Sequence, residues 1–169
     1  MSYPDPRFED IPEEPRQEIL KCIQCGTCSA SCPFNNQMDH APRELFALIM
    51  EGEVREVLTS NTPWFCVSCY HCMTRCPRLV PVTDIMYSLK QRAMELGLEP
   101  KKNKMPYLYR AFRDIVTRRG RVTGALVLTK YGVSHPLDII RNTPIGLKLI
   151  KKGRFDLFPK AIKDWRKIK

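Results

Sequence analysis

The chain has 169 residues, 43% of them hydrophobic, with 8 cysteines and 14 prolines; that suits about one domain with a modest core and leaves no run near the roughly 18 apolar residues that cross a membrane. Residues 1–100 carry 9 Lys and Arg against 14 Asp and Glu, whereas residues 101–169 carry 19 against 4. Every cysteine falls in the acidic part, so the division predicts a metal-holding domain over 1–100 and a basic docking extension over 101–169.

The first residues, Met1 to Pro6, show no basic stretch leading into an apolar run. No secretory leader is expected, and the expected location is cytoplasmic and reducing, where clustered cysteines bind metal rather than pair as disulfides. Residues 12–21 read as a short entry helix. Cys22, Cys25, Cys28 and Cys32 follow, closing on Pro33. Then Leu45, Phe46, Leu48, Ile49, Val54, Val57 and Leu58 recur at helical spacing. Pro42 suits a first turn, Asp39 is a candidate cap and Gly52 a break. Asn61-Thr62-Pro63 reads as a turn into the second cysteine run, Cys66, Cys69, Cys72 and Cys76, closing on Pro77. Ile85, Met86, Leu89, Ala93 and Leu96 mark a helix over 82–96, with Thr83 or Asp84 as cap and Gly97 as its end.

In the extension, Leu108, Phe112, Ile115 and Val116 share one face of a helix over 105–118 that stops near Gly120. A short helix is expected over 124–129, and two short apolar pieces over 136–140 and 145–150. Residues 151–169 are basic, with Phe155, Leu157, Phe158 and Trp165 interspersed. So interrupted a segment makes a poor core alone, and it reads as an arm that docks on an acidic partner surface. No recognition motif accompanies the charge, so nucleic acid is not expected as a partner. Peripheral contact with an anionic membrane stays open, given aromatic residues among lysines.

The two cysteine runs are copies. Each member of the second lies 44 residues after its counterpart, and both read C-x-x-C-x-x-C-x-x-x-C-P. Three thiolates at intervals of three wrap one corner of an iron–sulfur cubane, and in two-cluster ferredoxins the fourth ligates the other cluster. By that rule Cys22, Cys25, Cys28 and Cys76 hold one [4Fe–4S] cluster, and Cys66, Cys69, Cys72 and Cys32 hold the second. Structural zinc favours two C-x-x-C pairs with a loop between them, and buried unliganded cysteines would not repeat at a fixed offset. His40 and His71 are not needed as ligands and are expected on the surface or in packing. Ile23, Phe34, Trp64, Phe65, Val67 and Met73 are expected to exclude water from the clusters. Thr27, Ser29, Ser68 and Thr74 are expected to offer hydroxyls to sulfur. Arg75 and Arg78 flank Cys76.

The stretches Cys22-Ile-Gln-Cys25-Gly-Thr-Cys28-Ser-Ala-Ser-Cys32-Pro33 and Trp64-Phe65-Cys66-Val-Ser-Cys69-Tyr-His-Cys72-Met-Thr-Arg-Cys76-Pro77, with the helical linker and Val82-Thr83-Asp84-Ile85, resemble the C subunits of heterodisulfide reductase and heterodisulfide-reductase-like complexes over about residues 15–100. The resemblance implies a mainly α structure: an α-helical ferredoxin domain with two [4Fe–4S] clusters, followed here by a basic helical C-terminal extension. It implies an electron-transfer iron–sulfur subunit in a hetero-oligomer, passing electrons between a flavin-bearing A subunit and a B subunit with Cys-Cys-Gly motifs that acts on disulfides. This chain has no adjacent cysteines and no glycine fingerprint for a nucleotide, so it is expected to carry electrons rather than a substrate site. A free-standing dicluster ferredoxin, or the iron–sulfur subunit of another respiratory-type oxidoreductase, is the alternative.

Overall fold

The computed structural model describes residues 6–100, 103–153 and 162; Met1 to Asp5 and most of the basic, aromatic tail lie outside them. The chain divides into two compact units, Met1–Asn103 and Lys104–Lys169. Among the described residues the regular structure is helical throughout.

In the first unit, α1 (Glu13–Leu20) leads into the first cysteine run, within which lies the single turn α2 (Thr27–Ala30). The linker forms α3 (Pro42–Glu51) and α4 (Val54–Thr59), separated at Gly52, whose φ of 91° ends α3. Asn61 to Pro63, read as a turn, begins a further helical turn, α5 (Thr62–Phe65). The second run contains α6 (His71–Thr74), and α7 (Val82–Leu96) completes the unit.

The core is the shared apolar stripe of α3, α4 and α7. Leu45, Phe46, Ile49, Val54, Val57, Leu58, Ile85, Met86 and Leu89 are all buried there, as the helical spacing requires. α3 packs on α4, α4 and α5 on α7, and α2 on α6. The two cysteine runs are thereby braced against each other by the helices that follow them.

The capping expectations fail in an informative way. Asp39 does not cap α3; its Oδ2 accepts from Asn61 N–H at 2.7 Å, and its own N–H donates to Asn61 Oδ1 at 2.7 Å. Glu44 accepts from Ala41 N–H in its place, at 2.9 Å. Thr83 and Asp84 lie inside the first turn of α7, after Pro81. The Asp39–Asn61 exchange belongs to a staple in which His40 N–H donates to Thr62 Oγ1 and Thr62 Oγ1 donates to His40 O. Long-range polar partners outcompete a local cap because they order two loops at once.

The repeat extends to the backbone. Gln24 and Ser68, 44 residues apart, both take left-handed φ of 57°, and so do Gly26 (79°) and Tyr70 (61°). Only the glycine does so without a Cβ penalty, which is about 1–2 kcal/mol for an L-residue. Tyr70→Gly is therefore expected to stabilise the unloaded chain by up to about 1 kcal/mol, after the entropic cost of glycine. Thermal unfolding checks this: Tm should rise by a few degrees, and a fall would show that the ring's contacts outweigh the backbone strain.

In the second unit, α8 (Met105–Arg119) ends at Gly120. Its buried face is Pro106, Ala111 and Ile115, whereas Phe112, expected on that face, is 50% exposed. α9 (Gly124–Ser134) runs five residues past the expected end. It stops before Pro136, because the residue ahead of a proline is driven out of helical conformation. The two short pieces expected beyond are one helix, α10 (Pro136–Lys151), which continues through Pro144; the missing amide there removes one bond while the flanking turns hold. α9 packs on α8 and on α10.

Candidate iron–sulfur centre

Two cavities open among the elements of the first unit. Cys22, Cys25, Cys28 and Cys76 line the first, with Arg43, Phe46 and Arg78 among their neighbours. Cys32, Cys66, Cys69 and Cys72 line the second, with Phe34, Met38, Tyr70, Thr83 and Met86. The grouping of the thiols is crossed: the fourth cysteine of each run lines the other run's cavity.

Local structure explains the crossing. The left-handed turns at Gln24 and Gly26 curl the first three cysteines around one void, as those at Ser68 and Tyr70 do around the second. The single turns α2 and α6 then carry the chain away before Cys32 and Cys76. Backbone N–H groups point at the sulfurs. Gln24 N–H donates to Cys22 Sγ at 3.4 Å and Val80 N–H to Cys76 Sγ at 3.3 Å.

The donor set suits a polynuclear cluster. All eight thiols are free of disulfides. Among the described residues no group of three or more His, Cys, Asp or Glu is placed to hold a metal ion. Four thiols lining one void are instead the donor set that a four-iron cubane takes.

Burial pushes the Cys28, Cys32 and Cys72 thiols up, while the Thr27 hydroxyl and N–H beside the exposed Cys25 draw its thiol down. A thiol whose folded pKa exceeds its unfolded value keeps its proton longer when folded. The unfolded chain then binds fewer protons at alkaline pH, and stability falls as pH rises. The reduced, unloaded chain should therefore lose Tm above about pH 8.5, the ordinary thiol range. Cys28→Ala and Cys72→Ala should flatten that fall; an unchanged slope in both would contradict it.

Some expected contacts are made and others are not. Phe34 and Phe65 do line the second cavity. Ile23 and Val67, expected to exclude water, are 60% and 58% exposed and edge the cavities without sealing them. Trp64 is buried in the core. Ser68 Oγ donates to the Tyr87 hydroxyl, and Thr74 Oγ1 to the carbonyls of Tyr70 and His71, so neither serves sulfur. Thr27 Oγ1 lies 3.4 Å from Cys25 Sγ. His71 is exposed, and His40 Nε2 lies 3.1 Å from Glu56 Oε1. Arg78 lines the first cavity and donates from Nε to Lys21 O.

Three groups were not anticipated. Arg43 reaches the first cavity from α3. Thr83 Oγ1 approaches Cys72 Sγ to 4.0 Å. Lys90, buried on α7, donates from Nζ to the Cys66 carbonyl oxygen at 3.1 Å. The signal for Lys90 was its register, four residues after Met86 on the apolar stripe, where a lysine needs a reason.

Residues 18–80 match the family model of the 4Fe-4S dicluster domain. These residues form a 4Fe–4S dicluster domain. Two clusters fit the eight cysteines of this dicluster domain. The chain is 33% identical over 105 residues to the iron–sulfur C subunit of the CoB–CoM heterodisulfide reductase of Methanopyrus kandleri, covering 62% of this chain and 53% of that one. It is 37% identical over 100 residues to the C2 subunit of the H2/formate:CoB–CoM heterodisulfide, ferredoxin reductase of Methanococcus maripaludis, covering 59% and 54%. It is 40% identical over 108 residues to the C subunit of the ferredoxin:CoB–CoM heterodisulfide reductase of Methanosarcina acetivorans, covering 59% and 43%. The chain thus spans about half the length of these curated relatives. They agree with the resemblance read from the cysteine runs around the dicluster domain.

Proposed function

We propose that this chain is the electron-transfer iron–sulfur subunit of a heterodisulfide-reductase-like complex, relaying electrons between a flavin-bearing A subunit and a disulfide-active B subunit with Cys-Cys-Gly motifs. The observation that carries the reading is the pair of crossed four-thiol cavities. In it, Cys22, Cys25, Cys28 and Cys76 hold one [4Fe–4S] cluster, and Cys66, Cys69, Cys72 and Cys32 the other. Such a cluster, when bound, takes up and gives back one electron without a bond to substrate.

The chain's own residues hold, orient and shield. The cysteine thiolates fix the ligand positions. The N–H groups of Gln24 and Val80 stabilise negative charge on sulfur at the first cavity. Phe34, Phe65, Met38 and Met86 keep water from the second. Cys25 and Cys69 are exposed, which gives each cavity an edge that a partner protein can approach.

A free-standing ferredoxin is the less favoured reading. The second unit exposes Val133, Leu137 and Ile140 at 83%, 78% and 68%, a surface that suits partner contact. Nucleic acid has no place in this function, and the location proposed is the cytoplasm. Among the described residues no helix is long and apolar enough to cross a membrane; a peripheral contact through the basic second unit is compatible with the relay. Oxygen-free purification of the tagged chain from its own cells tests the proposal. A flavoprotein and a Cys-Cys-Gly protein should accompany it in fixed ratio, and a lone, loaded monomer would select the free ferredoxin.

A further inference from the structure

Lys90 occupies a core position of α7 and is 4% exposed. Its Nζ holds the Cys66 carbonyl oxygen and lies 5.0 Å over the Tyr87 ring. The Tyr87 hydroxyl in turn accepts from Ser68 Oγ at 2.7 Å, two residues beyond Cys66. The ammonium is thus tied to the backbone that presents one thiol of the second cavity.

Among the described residues nothing equivalent stands at the first cavity. Counted from their first residues, Pro42 and Val82, the helices α3 and α7 align Met50 with Lys90, and Met50 is exposed. The first cavity has Arg43 and Arg78 instead, both on exposed residues. A charge near the protein interior acts about fourfold more strongly than the same charge in water, and salt screens exposed charges further. The buried ammonium is therefore screened less than the two exposed guanidiniums.

We propose that Lys90 raises the reduction potential of the cluster held in the second cavity above that of the first, making the second cavity the resting place of a transferred electron. Reduction adds one negative charge to a cluster, and a nearby buried cation favours that state. The inference rests on the proposal that the two cavities hold clusters, and it deepens it by giving the relay a direction within this chain, from first to second. Lys90 is a positioning residue in this sense: it touches the backbone of a ligand.

Redox titration followed by electron paramagnetic resonance tests it, on the full chain loaded with iron and sulfide and kept without oxygen. Lys90→Gln keeps a hydrogen-bond donor and removes the charge; Lys90→Met removes both. In each, one of the two spectral features should become at least tenfold harder to reduce, about 59 mV for one electron, with the other feature unmoved. The displaced feature should be the one whose spectrum Cys69→Ser alters. Lys90→Arg should restore the original value. Unmoved potentials at full iron content, equal shifts in both features, or failure of Lys90→Arg to restore the value would each overturn the inference while leaving the clusters in place. Absence of iron from the unaltered chain would overturn the reading beneath it.

Discussion

Cys76→Ser is expected to strip the cluster of the first cavity and spare that of the second, although Cys76 belongs to the second run. Cys76 lines the cavity of Cys22, Cys25 and Cys28, and the fourth cysteine of such a run ligates the other cluster. Iron content should fall from about eight to about four atoms per chain, the loss of one four-iron cluster. Double variants identify which cluster went. Cys76→Ser with Cys25→Ser should lose no more iron than Cys76→Ser alone, because both act on one cluster. Cys76→Ser with Cys69→Ser should lose nearly all of it. The opposite pattern would mean that each run closes on itself, and the crossing of the cavities would then have no role in ligation.

Phe46→Ala should be the most damaging single truncation in the first unit. Phe46 is 1% exposed, packs in the core of α3, and also lines the first cavity. Removing a buried phenylalanine costs about 3–5 kcal/mol, because the transfer loss and the void it leaves add together. That is a large part of the stability of a small domain. Denaturant unfolding of the unloaded chain should show the loss directly. In the loaded chain the first cluster should bleach faster in air than the second. Phe112→Ala is the comparison: that ring is half exposed on α8, and the change should stay within about 0.5 kcal/mol. Similar effects for the two substitutions would contradict the core assignment.

The chemistry was more legible in the sequence than the geometry around it. The duplicated cysteine spacing anticipated which thiols line a common cavity, because one motif copied at a fixed interval folds into the same left-handed turns twice. The helices of the first unit were legible too, since the stripe through Leu45, Ile49, Val57, Ile85 and Leu89 serves a single core. The caps were not: Asp39 and Thr83 found partners 22 and 11 residues away, and no local pattern reports such distances. In the second unit the punctuation misled. The helix expected over 124–129 runs on to Ser134, and the two pieces expected over 136–140 and 145–150 are one helix through Pro144, since one missing bond does not end an otherwise supported helix. Lys90 went unread because its significance depends on the loop packed against α7, which only the folded chain brings there.

The most direct measurement is the iron and acid-labile sulfide content of the chain purified without oxygen. About eight of each per chain, two four-iron clusters' worth, with a brown colour that bleaches in air, is the result expected. A colourless protein carrying stoichiometric zinc would contradict the account at its root.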